Sequence, residues 1–527
     1  GIPGVLVKDK EGKEVPIVDR KGRFVREITD FAGMYVKNYD GQDEGDPQYR
    51  STDVLISIKL KEENKAFKVE KYEHSYPHCW RTDKPVLYYP LDSWFIRTTA
   101  FKDRLVALNR QINWKPASTG TGRFGNWLEN LVDWNLSRSR FWGTPLPIWK
   151  TEDGVEERCI GSFEELQQAV EESVAQGFMK EPLKEDFDLH RPYVDDVILV
   201  SSDGQKMFRE PDLIDVWFDS GAMPYAQWHY PFEHRDEFKA AFPADYISEG
   251  VDQTRGWFFT LHAIAGMLFD SVAFKNVIAH GLILDKNGNK MSKRLGNAVD
   301  PFETMDQQGA DATRWYMISN ANPWDNLKFD IAGVQEVKRR FFGTLQNTYA
   351  FFALYANIDR FSYQEDKLGD EHLNESDRWI ISRLNSLIKE VDQSYSEYEP
   401  TRAARAIQDF VIDDLSNWYV RLNRKRFWDP ASLGSTDSLD KVAAYQTLYQ
   451  CLIQVAKLSA AVAPFYADML YRDLNGVSGL EPHDSVHLSD FPVVEESQID
   501  PDLEQKMRLA QKISSLVHSL RKKHRIK

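Results

Sequence analysis

The stretch ADYISEGVDQTRGWFFTLHAIAGMLFDSVAFKNVIAHGLILD, residues 244–285, contains the pattern that decides the fold. It starts with an apolar run, ADYISEG, and ends with a second one, NVIAHGLILD. Between them, apolar residues recur at the spacing of a helix: Trp257, Leu261, Ile264, Ala265 and Leu268. A strand, a helix and a second strand in succession are typical of a parallel, doubly wound sheet. The sequence therefore predicts an α/β domain over residues 74–330.

The composition is that of a large globular protein. With 527 residues the chain is too long for one hydrophobic core, which predicts two to four domains. No run of about 18 apolar residues occurs, so no membrane span is predicted. The net charge of −15 argues against a protein that coats nucleic acid without specificity. It still allows basic residues to be gathered on one face. The widely spaced Cys79, Cys159 and Cys451 are typical of reduced thiols and predict a cytoplasmic protein.

The two ends of the chain differ from its middle. Residues 1–73 contain short runs that we interpret as strands, VLVKD, EVPIVD and DVLISIKL, and they predict a small β-rich unit. After about residue 331 the strand patterns stop, and a long helical stripe follows, made of Ala403, Ile407, Val411, Leu415, Trp418 and Leu422. The last part of the chain therefore predicts a helical bundle.

The loop DKNGNKMSKRLGN, residues 285–297, concentrates positive charge next to a tight-turn signal at Asn287 and Gly288. Lys290, Lys293 and Arg294 would repel one another unless an anion lay between them, and a polyphosphate suits such a loop. The alternative is an ordinary solvated basic loop.

A second candidate site is SEGVDQTRGWFF, residues 248–259, at the end of a predicted strand. Asp252 is a candidate N-cap for the helix that follows. Alternatively, because ligands bind at the carboxyl ends of parallel strands, Glu249, Asp252 and Gln253 could accept hydrogen bonds from a ribose or an ammonium group, with Trp257 as a pocket wall.

Two other clusters are less specific. His74, His78 and Cys79 lie close together, but Thr82 stands where a zinc pair would need its second thiolate, so no bound metal is predicted. In NWYVRLNRKRFW, residues 417–428, basic residues alternate with aromatic ones, which suits unpaired bases and phosphates as well as a plain solvated helix face.

Together these segments resemble one family, the isoleucyl-tRNA synthetases of class I. KMSKR, residues 290–294, is similar to the KMSKS signature of class I aminoacyl-tRNA synthetases, with Arg294 in place of the last serine. Longer strings follow in the order that isoleucyl enzymes have: WNLSRSRFWGTPLP (134–147), DVWFDSG (215–221), EGVDQTRGWF (249–258) and DLSNWYVRLNRKRFW (414–428). The resemblance extends over essentially the whole chain.

The resemblance implies a division of labour among the residues. Lys290 and Lys293 would be the catalytic cations on the ATP phosphates, within a loop that also includes Met291, Ser292 and Arg294. The adenylate would be lined by Glu249, Gly250, Asp252, Gln253, His280 and Gly281. Trp217 and Trp257 would form the isoleucine pocket. The tRNA would be contacted by Arg421, Arg424, Lys425 and Arg426.

The resemblance also implies four regions and a function. They are the tail of an editing domain (1–73), the second half of a Rossmann-type catalytic domain (74–330), a helical connector (331–376) and an anticodon-binding helical domain (377–527). The expected reaction activates L-isoleucine with ATP and Mg²⁺, transfers it to tRNA(Ile), and is accompanied by editing of misactivated valine. A monomer without zinc is expected.

The family's other ATP signature, HIGH, does not occur in the sequence, so we expect an internal fragment that is inactive alone. The alternative is a tRNA-binding helical module whose catalytic part is degenerate.

Overall fold

The computed structural model describes residues 5–37, 47–79, 81–89, 91–292, 296–363, 365–430, 433 and 438–526. Its strands, in chain order, are β1 (Leu6–Lys8), β2 (Glu14–Pro16), β3 (Phe95–Ile96), β4 (Asn113–Lys115), β5 (Trp134–Asn135), β6 (Ser137–Arg138), β7 (Ile148–Thr151), β8 (Glu157–Cys159), β9 (Ile198–Val200), β10 (Lys206–Arg209), β11 (Leu213–Ile214), β12 (Ala244–Gly250), β13 (Phe274–His280), β14 (Ile283–Leu284) and β15 (Leu327–Lys328).

The helices are α1 (Thr52–Glu62), α2 (Lys102–Asn109), α3 (Gly125–Glu129), α4 (Phe163–Ala175), α5 (Val216–Gly221), α6 (Met223–Ala226), α7 (Arg235–Ala241), α8 (Trp257–Phe269), α9 (Pro301–Gln308), α10 (Ala310–Asn320), α11 (Ile331–Val337), α12 (Gly343–Asp359), α13 (Glu375–Ser396), α14 (Pro400–Asp409), α15 (Arg421–Trp428), α16 (Leu439–Ser459), α17 (Pro464–Ser478) and α18 (Pro501–Lys523). The chain divides into two compact units. The first is Gly1–Ile96 with Asn135–Ser139, and the second is Arg97–Trp134 with Arg140–Lys527.

The first unit is less rich in β-structure than its sequence predicts. β1 and β2 form an antiparallel pair, with Val7 opposite Val15. The predicted strand DVLISIKL is wrong, because these residues belong to helix α1. Asp53 in the first turn and Lys59 and Lys61 in the last turn carry the charges that favour a helix dipole, and this pattern outweighs the β-branched residues between them.

The predicted strand, helix and strand of the α/β region are confirmed. β12 and β13 are parallel neighbours joined through α8, and β4 lies on the other side of β13, which gives the order β12–β13–β4. Leu261, Ile264 and Ala265 of α8 are buried as predicted, whereas Leu268 is largely exposed. The core beneath them is aromatic: the Trp114 ring contacts the rings of Phe124, Phe258 and Phe274, and Phe258 also contacts Phe274.

An antiparallel layer that the sequence did not reveal is inserted before α5. It contains four strands in the order β8–β7–β10–β9, and α4 covers them. The layer has a small core of its own, in which the buried Trp149 indole donates to the Val197 carbonyl at 2.8 Å.

The helical region from α11 onward is confirmed, but its predicted stripe changes face midway. Ala403, Ile407, Val411 and Leu415 are fully buried, whereas Leu422 is exposed. The reason is a π-helical stretch, Phe410–Val420, that separates α14 from α15. A π turn holds more residues than an α turn, so every later side chain is rotated about the helix axis. The core face of α15 is formed by Asn423 and Phe427 instead.

Candidate functional site

The carboxyl ends of β12 and β13 lie side by side, with Gly250 opposite His280. The Ser248 hydroxyl is within hydrogen-bond distance of the His280 ring, 2.5 Å from Nε2. Partial desolvation of the ring lowers the pKa of His280, and the nearby Glu249 carboxylate opposes that shift. The imidazole is therefore neutral near pH 7. A neutral ring, a carboxylate and open backbone at one edge can accept and donate hydrogen bonds to a polar ligand.

Gly281 follows β13 at a point where another segment passes very close. A Cβ atom at this position would overlap the backbone of Asp325 and Asn326, and the Gly281 amide donates to the Pro323 carbonyl at 2.9 Å. Only glycine fits there without displacing the neighbouring backbone. Residues 323–326 thus lie directly against Gly281, one of the residues that the resemblance places around the adenylate.

The turn between β12 and α8 is arranged differently from the prediction. Val251–Arg255 form a 3₁₀ turn, and α8 begins at Trp257. The Gln253 side-chain carbonyl accepts from the Trp257 amide at 2.9 Å, so Gln253 supplies the cap and the predicted N-cap role of Asp252 is wrong. The Asp252 carboxylate is exposed at the carboxyl edge, where it accepts from the Gln253 side-chain amide at 3.2 Å.

Trp217 and Trp257 are brought together by the packing of α5 on α8. The Trp257 indole donates to the Ser220 carbonyl of α5 at 2.9 Å. Gly256 leaves space for the Trp217 ring, whose Cη2 would be 3.2 Å from a Cβ atom at Gly256. Trp217 is 42% exposed. The Trp217 ring therefore lies against the residue that precedes Trp257.

Asp215 holds this arrangement at its start. Its carboxylate is buried, accepts from the Trp217 amide at 3.3 Å and accepts from the Trp134 indole at 3.0 Å. This positioning residue was not singled out from the sequence, although an aspartate before an apolar helix is an N-cap signal.

The loop after β14 is anchored by its polar side chains. The Asp285 carboxylate accepts from the amides of Asn287 and Asn289 at 2.9 and 2.8 Å, and from the Asn297 side chain at 3.1 Å. These bonds, with the Asn289 amide first, lower the pKa of Asp285. Gly288 has φ +88°, which confirms the predicted tight turn.

The signature residues follow this turn. Lys290 is exposed, Met291 packs against the core of the helical region, and the Ser292 amide donates to the Asn297 side chain at 2.9 Å. Lys293 and Arg294 lie outside the described residues. The anchoring roles of Asp285 and Asn297 were not predicted from the sequence, although asparagine and aspartate beside glycine are typical of turns in which the side chain bonds to the local backbone.

The predicted RNA-facing cations do not all share one surface. Arg421, Arg424 and Lys425 are exposed at helical spacing on α15. Arg426 is not: its guanidinium donates to both oxygens of the buried Asp377, at 2.7 and 2.8 Å. The prediction is therefore wrong in placing Arg426 on the same exposed face, because this side chain is committed to an internal ion pair.

The aromatic neighbours of these cations divide in the same way. Tyr419 and Phe427 are buried in the helical core, and the Tyr419 hydroxyl donates to Asp377 at 2.6 Å. Trp428 is exposed at the end of α15. Among these aromatic residues, Trp428 is accessible to an unpaired base.

The described part of the chain lacks two further features. In it, no three side chains of His, Cys, Asp or Glu are grouped so that they could hold a metal ion. None of its helices combines the length and the apolar character that a membrane crossing requires.

Two family descriptions match the chain. Residues 9–330 match the tRNA synthetases class I (I, L, M and V), and residues 377–527 match the anticodon-binding domain of tRNA ligase. Two solved structures are similar in fold, with sequence identities too low to indicate more. The LeuRS from Agrobacterium radiobacter K84, in a ternary complex with tRNA and LeuAMS, aligns with a TM-score of 0.50 and 20% identity over 70% of this chain and 43% of its own.

The second structure is Mycobacterium tuberculosis methionyl-tRNA synthetase in complex with methionyl-adenylate. It aligns with a TM-score of 0.53 and 17% identity over 75% of this chain and 65% of its own. Both similarities agree with the class I fold that the strands and helices form.

Curated relatives are much more similar in sequence. The isoleucine–tRNA ligases of Cytophaga hutchinsonii, Bacteroides fragilis and Thermus thermophilus are 66%, 59% and 46% identical to the chain. The alignments include 100%, 100% and 97% of this chain, but 48%, 49% and 46% of the respective relatives. The chain thus spans about half the length of these relatives. Because the class I match extends from residue 9 to residue 330, more than half of the sequence, the chain belongs to the class I tRNA synthetases.

Proposed function

We propose that the protein to which this chain belongs is an isoleucine–tRNA ligase. It activates L-isoleucine with ATP, which enters with Mg²⁺ as a substrate, and transfers the aminoacyl group to tRNA(Ile). The single observation that carries the proposal is the carboxyl edge of β12 and β13, where Gly250 lies opposite His280, together with the anchored, lysine-bearing loop that follows β14 in the chain. As part of this proposal, the protein is a cytoplasmic monomer.

The chemistry assigns different tasks to the lysine-bearing loop and to the residues at the strand ends. A carboxylate oxygen of isoleucine attacks the α-phosphorus of ATP, and the bond to the pyrophosphate group breaks. Lys290 and Lys293 neutralise the negative charge on the departing phosphates, which is where positive charge contributes most to rate. His280 and Gly281 lie where the adenine would rest, and Glu249, Asp252 and Gln253 accept from ribose and ammonium groups. Trp217 and Trp257 enclose the apolar side chain.

Such a pocket separates isoleucine from valine by one methylene group, which corresponds to only about 1–3 kcal/mol. Isoleucine against valine is the standard example of this limit among the tRNA synthetases, and the limit makes a second, editing step necessary. We therefore propose that valine attached in error is removed elsewhere in the protein. The tRNA is held by the helical region, with the exposed cations of α15 at the anticodon end.

The test is isoleucine-dependent exchange of pyrophosphate into ATP, made with the protein as its gene encodes it. Lys293→Ala should lower the exchange rate by about 10²-fold or more and change isoleucine affinity far less. Lys286→Ala is the matched control, because Lys286 is an exposed lysine of the same loop outside the signature. Equal effects of the two substitutions would contradict the proposed role of the loop.

A second candidate function is a helical module that binds tRNA without catalysis. The exposed Arg421, Arg424 and Lys425 favour RNA binding whether or not the catalytic edge works. The same exchange assay separates the two functions, because a module would bind tRNA and give no exchange with any amino acid.

A further inference from the structure

One helical rod joins the exposed cations to the catalytic sheet. α14, the π-helical stretch Phe410–Val420 and α15 follow one another without a break, from Pro400 to Trp428. At about 1.5 Å per residue this rod is on the order of 40 Å long. Its carboxyl end bears Arg421, Arg424 and Lys425. Its amino end begins at the corner between α13 and α14.

This corner contacts the sheet at two points. The Lys115 ammonium group, at the last residue of β4, is 2.8 Å from the Glu399 carboxylate, and each side chain is about one-quarter exposed. The Tyr398 ring stacks on Tyr246 of β12, with centroids 5.2 Å apart and an interplanar angle of 4°. Tyr398 has φ +59°, a backbone conformation that non-glycine residues rarely adopt.

The first turns of the rod also hold the end of α10. The Thr401 hydroxyl donates to the Ile318 carbonyl at 2.7 Å, and the Arg405 guanidinium donates to the carbonyls of Ser319 and Asn320 at 2.7 and 3.0 Å. These last carbonyls of a helix have no partner within the helix itself. The rod therefore fixes the point at which the chain leaves α10.

The segment after α10 packs against the residues that precede the signature loop. Its Pro323 carbonyl accepts from the Gly281 amide, and the Asn326 side chain accepts from the Leu282 amide at 2.8 Å. β15 then pairs with β14, which is followed at once by Asp285. An unbroken series of packed contacts thus connects the rod with both His280–Gly281 and the base of the loop.

We propose that this rod couples RNA binding at α15 to nucleotide binding at the carboxyl edge, with Lys115 and Glu399 as the positioning residues that set the rod against the sheet. The inference rests on the proposed function for the identity of the two ligands. Coupling between two sites is reciprocal, so RNA and nucleotide change each other's affinity by the same factor. A charge pair at the start of the rod can transmit a displacement because the rod is continuous from Pro400 to Trp428.

The experiment measures the affinity of the gene-encoded protein for a non-hydrolysable ATP analogue, with and without a saturating tRNA(Ile) transcript. In the wild type the transcript should change this affinity by about 5-fold or more, which is the lower range of typical couplings. In Lys115→Met and in Glu399→Gln the factor should fall to below about 2. The double exchange, Lys115→Glu with Glu399→Lys, should restore most of it.

Lys389→Met is the matched control, because it removes an ion pair of α13, with Glu496 at 2.7 Å, in which no residue of the sheet takes part. It should leave the coupling unchanged. A direct contact between Lys115 and the nucleotide is distinguished by Glu399→Gln, which leaves that lysine in place. Melting temperatures of the variants should stay close to that of the wild type, because the pair is partly exposed.

A wild type that binds both ligands without any mutual effect would overturn the coupling and leave the proposed function intact. A factor that is the same in the wild type and in both single variants would overturn the role of Lys115 and Glu399. A protein that binds neither ligand would overturn the proposed function and this inference together.

Discussion

Trp257 is the residue at which the proposed amino-acid pocket can be tested alone. Its indole is held by the Ser220 carbonyl, and its ring is only partly buried. In the gene-encoded protein, Trp257→Ala should weaken isoleucine binding by about 10–100-fold, which corresponds to about 1.4–2.8 kcal/mol. ATP affinity should change less than about 2-fold. Isoleucine and ATP titrations of the variant provide the measurement.

Leu268→Ala on the same helix is the control, since Leu268 is exposed and should change neither affinity. If Trp257→Ala lowers the melting temperature sharply and weakens both ligands alike, the indole is a core residue and the pocket lies elsewhere.

His262 sets a pH dependence within the same helix. Its ring is fully buried, its Nε2 is 2.9 Å from the Leu105 carbonyl, and burial lowers its pKa to about 4. The unfolded state therefore binds a proton near pH 6.5 that the folded state excludes. The folded state gains full stability from this group above pH 6.5 and loses it as the pH falls toward 4.

The expected loss between pH 7 and pH 4.5 is about 2–3 kcal/mol in the free energy of unfolding. It is measured as the difference between the wild type and His262→Gln in urea unfolding at the two pH values. Gln retains a donor for Leu105 but does not titrate. Parallel pH profiles of the two proteins would contradict the neutral, buried state of His262.

At the scale of secondary structure, the sequence predicted the alternation of strands and helices well. It predicted poorly which face of a long helix each residue occupies. The order of β12, α8 and β13 followed from residues whose periods differ clearly between strand and helix. The exposed position of Leu422 could not be predicted, because the π-helical stretch before it changes the residue-to-angle relation, and spacing alone does not reveal such a stretch.

The internal ion pair of α15 gives a prediction for stability. Arg426→Ala would leave the Asp377 carboxylate buried and without its bidentate partner, so it should lower the free energy of unfolding of the helical region by about 3–5 kcal/mol. Arg421→Ala, on the exposed face of the same helix, should change it by less than about 0.5 kcal/mol. Denaturant titrations of both variants test this difference, and equal values would contradict the assignment of Arg426 to the core.

The exposed face of α15 gives a prediction for RNA binding. Cations that contact phosphates release counterions, so their removal makes binding less dependent on salt. In the gene-encoded protein, neutralising Arg421, Arg424 and Lys425 together should flatten the slope of log affinity against log salt by about 2–3 units. Titrations of tRNA(Ile) at several salt concentrations provide the slope. An unchanged slope and affinity would identify these residues as a solvated surface.

At the scale of the whole molecule, the candidate site combines segments that are far apart in the sequence. The strings around β12, α5 and the signature loop could be assigned to their roles by resemblance, because each is contiguous. Other contacts depend on how distant elements pack and cannot be predicted from local sequence patterns. Examples are the contact between Gly281 and Asp325 and the ion pair between Lys115 and Glu399. The proposed roles of the site residues therefore need a bound ligand as their test.

The most direct measurement is a structure of the gene-encoded protein with a non-hydrolysable isoleucyl-adenylate analogue. The analogue should lie across the carboxyl ends of β12 and β13, with its adenine beside His280 and Gly281 and its side chain between Trp217 and Trp257. Binding of the analogue at another place, or with its adenine against the two indoles, would contradict the proposed site.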